Sequence, residues 1–574
     1  MHQKEIFFSV CLTGFLYLLN SCNSGSSTDG NSYSSDTTVV ATGKSLFEKN
    51  CSACHSFKQD GIGPGLGRIT EVVSVEWLRR FIKNPQEMFT SGDERAIMLQ
   101  KKFKSVMPSF PVLNGDDINA IISFLHANKM LPALSNHDNK NIQDPIPEKI
   151  KQSSLVVNLE PVTQFPATAN NSGLPHTRIT KLDFQTHTGT LFVNDLRGQL
   201  YKLKNNSPLL YMDLRKLASA FIDAPGLATG FGSFAFHPRF VQNGIFYTTH
   251  TEAPGSGKAD FSYDDSIKIS MQWVLTEWKA ANPAADTFSG TGRELLRINM
   301  VSGAHGVQEI AFNPIAKPGD KDYTLLYICV GDGASVQEGY SFIPHSKKSV
   351  WGTILCINPA GNNSSNGKYG IPPDNPFAHD ADTGTIKEIY AYGFRNPHRI
   401  TWSRKGEMLA CNIGQANIEA IYLIKPGNDY GWPIREGSFL FKPDGNLNNV
   451  YPLPDNDSVY KISYPIAEYD HDEGVAISGG YEYGGKTVPQ LKGKFMFGDI
   501  PSGRLFYINM HDIQQGKRAT IYEWSITINN IPQTLKKMCG SDRVDLRFGR
   551  DAQGELYVLT KADGILYKMK NATE

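Results

Sequence analysis

The sequence predicts two bodies of unlike class: a small all-α domain near the N-terminus and, behind it, a larger all-β six-bladed β-propeller. Three observations carry that expectation. Apolar residues recur at helical spacing up to Ile118, Ile121, Ile122 and Leu125, which follow the capping run Asn114-Gly115-Asp116-Asp117. From residue 155 onward the chain is rich in glycine, aromatic residues and short β-like runs. There an apolar-x-aromatic triplet, a turn and a second apolar run recur six times.

The chain has 574 residues and a formal net charge of zero, so two or more domains are expected and no basic excess points to nucleic acid. At the start, Lys4 precedes an apolar run from Ile6 to Leu19, too short to span a bilayer and suited to a signal peptide. The run ends in Leu19-Asn20-Ser21-Cys22, which resembles a bacterial lipobox. That resemblance implies that Cys22 becomes the acylated N-terminus of an exported, membrane-anchored lipoprotein of the periplasm or cell envelope. Residues 1–22 are thus the signal, and the Ser/Gly/Asn-rich stretch 23–40 a flexible tether.

Cys51-Ser52-Ala53-Cys54-His55 is the strongest local signal. Two thiols three apart add to the haem vinyl groups, and the next residue is held where its imidazole ligates the iron. A zinc site would need a second ligand pair at similar spacing, and none follows. Met107, followed by Pro108 in a loop before the last helix, is the candidate second iron ligand. A short helix over Gly43 to Asn50 turns Leu46 and Phe47 inward, and Gly63-Pro64-Gly65-Leu66 is a turn. Residues 41–131 therefore resemble a class I cytochrome c domain carrying haem c. The resemblance implies that the Pro64 carbonyl holds the second nitrogen of His55.

Of the remaining cysteines, Cys329, Cys356, Cys411 and Cys539 give no disulfide framework. A polar linker spans 132–154, and the propeller is expected over 155–572. Its six repeats open at Leu182, Phe234, Ile310, Ile400, Gly480 and Leu546. A many-stranded sandwich is the alternative. A polar residue follows or ends the second runs: Asp195, His250, Asp332, Asn412, Asp499 and Lys561. Such a recurrence at one end of successive blades favours the propeller, whose sites gather near the axis.

The stretches Phe234-Ala235-Phe236-His237-Pro238, Leu295-Leu296-Arg297-Ile298, Tyr390 to Pro397, Tyr430-Gly431-Trp432-Pro433 and Gly549 to Thr560 resemble the glucose/sorbosone dehydrogenase family. Those are soluble quinoproteins that use pyrroloquinoline quinone (PQQ). The resemblance implies that His305 is the general base, that Asp332 orients it, and that Arg395 and Asn396 contact the cofactor. It implies that the carbonyls of Gly414 and Gln415 hold a calcium ion. Histidine suits a base that must work near neutral pH.

The chain also departs from that pattern. Ala228 stands where a substrate-side glutamine is expected, and Pro501 or Ser502 where a cofactor-binding lysine is expected, with Arg504 the nearest cation. Of two arginines expected before the last repeat, Arg543 remains, beside Val544 and Asp545; Ala420, next to Glu419, replaces a calcium carboxylate. Two functions follow. One is an enzyme that oxidises a sugar or sugar alcohol with PQQ and passes electrons through its own haem to a redox acceptor protein. The other is a lipid-anchored electron-transfer cytochrome whose propeller is catalytically silent and binds a sugar or a partner.

Overall fold

The structure, a computed structural model, describes residues 33–57, 60, 62–103, 106–110, 112–128, 141–168, 175–225 and 228–574. The proposed signal and Cys22 lie outside the described residues. Among the described residues no helix is long and apolar enough to cross a membrane.

The N-terminal part is helical: α1 (Thr37–Asn50), α2 (Ile69–Val72), α3 (Val75–Lys83), α4 (Pro85–Thr90), α5 (Glu94–Phe103) and α6 (Gly115–Ala127). Helix α1 starts inside the stretch read as tether, because Asp36 accepts a hydrogen bond from the Thr38 N–H and caps it. Helix α6 begins with a reciprocal cap between Asn114 and Asp117. Its apolar face, with Ile118, Ile121, Ile122 and Leu125, packs on Phe47 of α1 and on Val75, Leu78 and Ile82 of α3. This small core walls one side of a crevice.

The remainder is built mainly from antiparallel strands. Each of the six sequence repeats is an antiparallel pair, from Ile179–Phe184 with Leu191–Asp195 to Leu546–Arg550 with Leu556–Thr560. The pairs belong to one 13-stranded sheet and three four-stranded sheets, with a separate three-stranded sheet alongside. The first strands contact one another in sequence: Ile179–Phe184 meets Phe231–Phe236, then Glu309–Phe312, Pro397–Trp402, Ile477–Glu482 and Leu546–Arg550, which returns to Ile179–Phe184. The strand Lys151–Gln164 pairs antiparallel with the final strand Ile565–Thr573 and parallel with Tyr522–Ile528. It starts within the stretch read as linker, whose last residues are therefore sheet rather than spacer.

Apolar side chains fill the spaces between neighbouring sheets. Trp273, Leu275 and Ile298 pack with Ile310, Ile328 and Leu355, all nearly inaccessible. Where three first strands converge, a buried ionic knot replaces apolar packing. Lys181 donates to Glu309 Oε1 at 2.5 Å and to the carbonyls of Phe234 and Ile310, while Arg399 reaches Glu309 Oε2 at 3.2 Å. Charges buried this deeply persist because each is paired and hydrogen-bonded. The knot also fixes the neighbouring Gln308, whose carbonyl accepts from Arg399 at 2.6 Å.

Candidate functional site

Two adjoining cavities carry the chemistry. The first, about 560 Å³, is lined by Cys51, Cys54, His55 and Met107 together with Phe81, Phe103 and Phe110. His55 Nδ1 lies 2.8 Å from the Pro64 carbonyl. A carbonyl only accepts, so Nδ1 carries the proton and Nε2 keeps its lone pair for a metal. Burial pushes the His55 imidazole below its usual range, which keeps it neutral and able to ligate. A Cβ added to Gly63 would meet His55 Cε1 at 2.4 Å, so the loop lies against the ring and holds it. The two cysteines are free thiols. Free thiols, an oriented imidazole and a thioether around one apolar cavity fit a covalently attached haem c.

The second cavity, about 300 Å³, lies in the strand-rich part. His305, Gln308, Arg395, Asn396, Gly414 and Gln415 line it. His305 sits in the loop between the strands Gly290–Met300 and Glu309–Phe312, with a left-handed φ of 50°. A Cβ on Gly331 would meet the His305 carbonyl at 2.2 Å, so that close approach requires glycine. The approach brings Asp332 under the imidazole: Asp332 Oδ1 is 2.8 Å from His305 Nδ1. The carboxylate is itself held, since Ala334 N–H donates to Oδ1 at 2.8 Å and the Trp432 indole N–H to Oδ2 at 2.9 Å. Nδ1 therefore donates to Asp332 and Nε2 is left as the acceptor. Burial pushes His305 below its usual range, Arg395 adds to that, and Asp332 opposes it. The result is a neutral, oriented imidazole on the cavity wall.

Arg395 is 1% exposed, and its Nε donates to Gln415 Oε1 at 2.9 Å. Its Nη1 donates to the Gly414 carbonyl. Gly414 and Gln415 thus serve a guanidinium, and a cation at that carbonyl would face Arg395. Among the described residues no group of three or more His, Cys, Asp or Glu is placed to hold a metal. Glu436, the nearest carboxylate, accepts instead from the backbone N–H groups of Gln415, Asn417 and Ile418. Of the two carbonyls expected for calcium, that of Gly414 is therefore taken by a guanidinium, whose charge opposes a cation there.

The cavity does fit a polar, anionic group. Arg395 Nη2, Gln415 Nε2, His398 Nδ1 and Arg547 Nε are buried on its wall with no partner among the described residues. Such atoms are costly unless a ligand completes them. Arg543 lines the cavity as well, paired with Asp545 at 3.0 Å. Arg504 is not available: it is bound to Glu473 and Glu523. Gln308 Nε2 donates to the Ala228 carbonyl at 3.1 Å, so a glutamine amide stands beside the alanine that the sequence showed there. Gln308, His398, Trp432 and Arg547 escaped the sequence reading as site residues. Trp432 lay in a quoted motif, but only folding brings it to Asp332, 100 residues away in the chain.

The cavities share walls. Ala53, Ile62 and Phe103 of the helical part border both, as does Arg543 of the strand-rich part. Arg178 and Arg197 also face the first cavity. The haem crevice therefore opens onto the mouth of the His305 cavity.

Residues 178–568 match the Glucose / Sorbosone dehydrogenase family, and residues 40–129 match Cytochrome c. The HIPL1 protein of Arabidopsis thaliana is 26% identical, over 66% of this chain and 58% of its own length. Quinoprotein glucose dehydrogenase B of Acinetobacter calcoaceticus is 26% identical, over 53% of this chain and 63% of its own length. The chain thus spans less than two thirds of each of these relatives. The soluble aldose sugar dehydrogenase of Escherichia coli, solved in the apo-form, aligns with a TM-score of 0.50 at 18% identity, over 73% of this chain and 99% of that one. That likeness is one of fold. With its family match covering most of the strand-rich part, the chain belongs to the Glucose / Sorbosone dehydrogenase family and carries a cytochrome c domain, hence a haem c, ahead of it.

Proposed function

We propose that this protein is a PQQ-dependent dehydrogenase of a sugar or sugar alcohol that delivers electrons to its own haem c and then to an acceptor protein. The observation that carries the reading is the His305–Asp332 pair on the wall of a cavity that adjoins the haem crevice. When bound, PQQ supplies a two-electron acceptor and haem c a one-electron carrier. The chain's own residues do the rest. His305 Nε2 takes the proton of the substrate hydroxyl, and Asp332 stabilises the imidazolium that results. Arg395, Asn396 and Arg543, all on the cavity wall, would hold the cofactor's electron-rich oxygens and carboxylates. Phe103 and Ile62 keep water from the boundary between the cavities. The strand groups form a six-bladed propeller in this reading, supported by six antiparallel pairs whose first strands touch in a ring.

The test is to load the purified protein with PQQ, with and without calcium, and follow haem reduction on adding a panel of aldoses. Reduction that needs both PQQ and sugar supports the reading; none with any sugar overturns it. A silent, sugar- or partner-binding propeller is the second reading. It is favoured by the hold of Arg395 on Gly414, which takes one of the carbonyls expected for calcium. We further propose export and anchoring through acylated Cys22, on the sequence alone. Cys22→Ser should move the protein from the membrane to the soluble exported fraction, and a variant that stays in the membrane refutes the anchor.

A further inference from the structure

Lys561 follows the strand Leu556–Thr560 and is 2% exposed, on the wall of the His305 cavity. Its backbone is fixed, with the carbonyl accepting from Thr177 N–H at 3.1 Å. Its ammonium has no hydrogen-bond partner among the described residues. The comparable positions in the other repeats behave differently. Asp195 accepts from Thr168 and Arg178, Asn412 from Asn396 N–H, and Asp499 from Val475 and Ala476. Asp332 holds His305, and His250 contacts Glu252. Those five hydrogen-bond within the protein, whereas the Lys561 ammonium faces the Asp545 carboxylate and makes no hydrogen bond among the described residues.

Arg547 stands beside it in the same condition. It is 5% exposed, donates to the Leu546 carbonyl at 2.7 Å, and leaves Nε without a partner. Of the anionic groups on the cavity wall, Asp472 is engaged with Lys149 and Asp470 with the Ile146 N–H, while Asp545, paired with Arg543, is the one carboxylate that Lys561 and Arg547 also face. Burial brings the Arg547 guanidinium down to about 9, and Arg399 adds to it. Burial, reinforced by Arg547, also holds the Lys561 amine well below its usual range. Three buried cations, Lys561, Arg547 and Arg543, thus share one carboxylate, and a further anion would complete them.

We propose that Lys561 and Arg547 form a carboxylate-binding site at the end of the cavity nearest Arg543. The ligand carboxylate belongs either to an aromatic quinone cofactor or to an acidic sugar. The first source rests on the dehydrogenase reading; the site itself does not. In this arrangement the last strand pair supplies the anion grip, and Arg395 holds the opposite end of the same ligand.

The test uses the full-length, haem-loaded protein without quinone. PQQ and galacturonate are titrated separately and followed by calorimetry. Lys561→Met should weaken binding by about tenfold or more, as loss of a charged hydrogen bond does, and Lys561→Arg should retain most of it. The ligand-free Lys561→Met protein should melt no lower than wild type, because one of several mutually repelling buried cations is gone; weakened binding is then not unfolding. Loss confined to PQQ assigns the carboxylate to the cofactor, and loss confined to galacturonate assigns it to the substrate. If Lys561→Met and Arg547→Met bind both ligands as wild type does, or if wild type binds neither, the site does not exist. A wild type that binds galacturonate but not PQQ sinks the PQQ reading and leaves this site standing.

Discussion

The haem crevice and the His305 cavity meet at Arg543, yet they are built in opposite ways. Cys51, Cys54, His55 and Pro64 lie within a few turns of chain, and Met107 arrives from the segment between α5 and α6 of the same small domain. The ligand set is local, so the covalent spacing of the motif fixes most of its geometry. The second cavity draws Ala228, His305, Arg395, Gln415, Arg547 and Lys561 from distant repeats. Each arrives at a strand end, and no spacing rule joins them. A local site should survive damage to the assembled one, and the assembled site should fail when any one strand group loses its part.

The largest expected effect is on the assembled site. His305→Ala should cut sugar-dependent haem reduction by about 10²–10⁴-fold, the range of a general base. Haem content and reduction by dithionite should stay normal, since His305 is absent from the haem crevice. Wild-type turnover in this variant would remove His305 from the mechanism. Trp432→Phe probes the same base through its orienter. It deletes the indole hydrogen bond to Asp332, and loss of one bond to a charged group should slow the reaction by about 10–100-fold. Combined with Asp332→Asn, the losses should not add, because the three side chains act as a unit. Additive losses would show that Trp432 acts elsewhere.

The pH profile sharpens the point. The base works only as neutral imidazole, and burial sets His305 below its usual range. The rate should therefore be flat through neutrality and fall as pH drops through that lowered midpoint. Asp332 raises the His305 midpoint, so Asp332→Asn should move the acid limb to lower pH. A limb that moves upward would mean that another group controls it. The smallest cross-effect is expected from the haem side. Met107→Ala should remove the weak red band of Fe–S(Met) ligation and lower the haem potential, within the roughly 0.8 V that axial ligands span. PQQ binding should be unchanged in this variant. An unchanged spectrum would exclude Met107 as ligand, and lost PQQ binding would mean the two cavities are one site.

Much of this organisation was legible in the sequence, and the reason is periodicity. The cytochrome motif, the helix cap at Asn114 and the six hairpins are patterns of neighbours, and neighbours in sequence stay neighbours in the fold. The pairing of His305 with Asp332 followed from a resemblance, and the antiparallel pair beside them brings both to one end. The loss of a lysine at Pro501 or Ser502 and of one arginine beside Arg543 was also visible, but not what stands in their place.

Only the tertiary structure decided the rest. Trp432 reaches Asp332, Arg395 takes one of the two carbonyls expected for calcium, Arg504 turns away to Glu473 and Glu523, and the buried Lys561 ammonium makes no hydrogen bond among the described residues. These outcomes depend on which strand ends converge in three dimensions. The sequence records that a lysine follows the last repeat's second strand; whether its charge meets water, a carboxylate or an empty cavity is settled by packing between residues hundreds of positions apart.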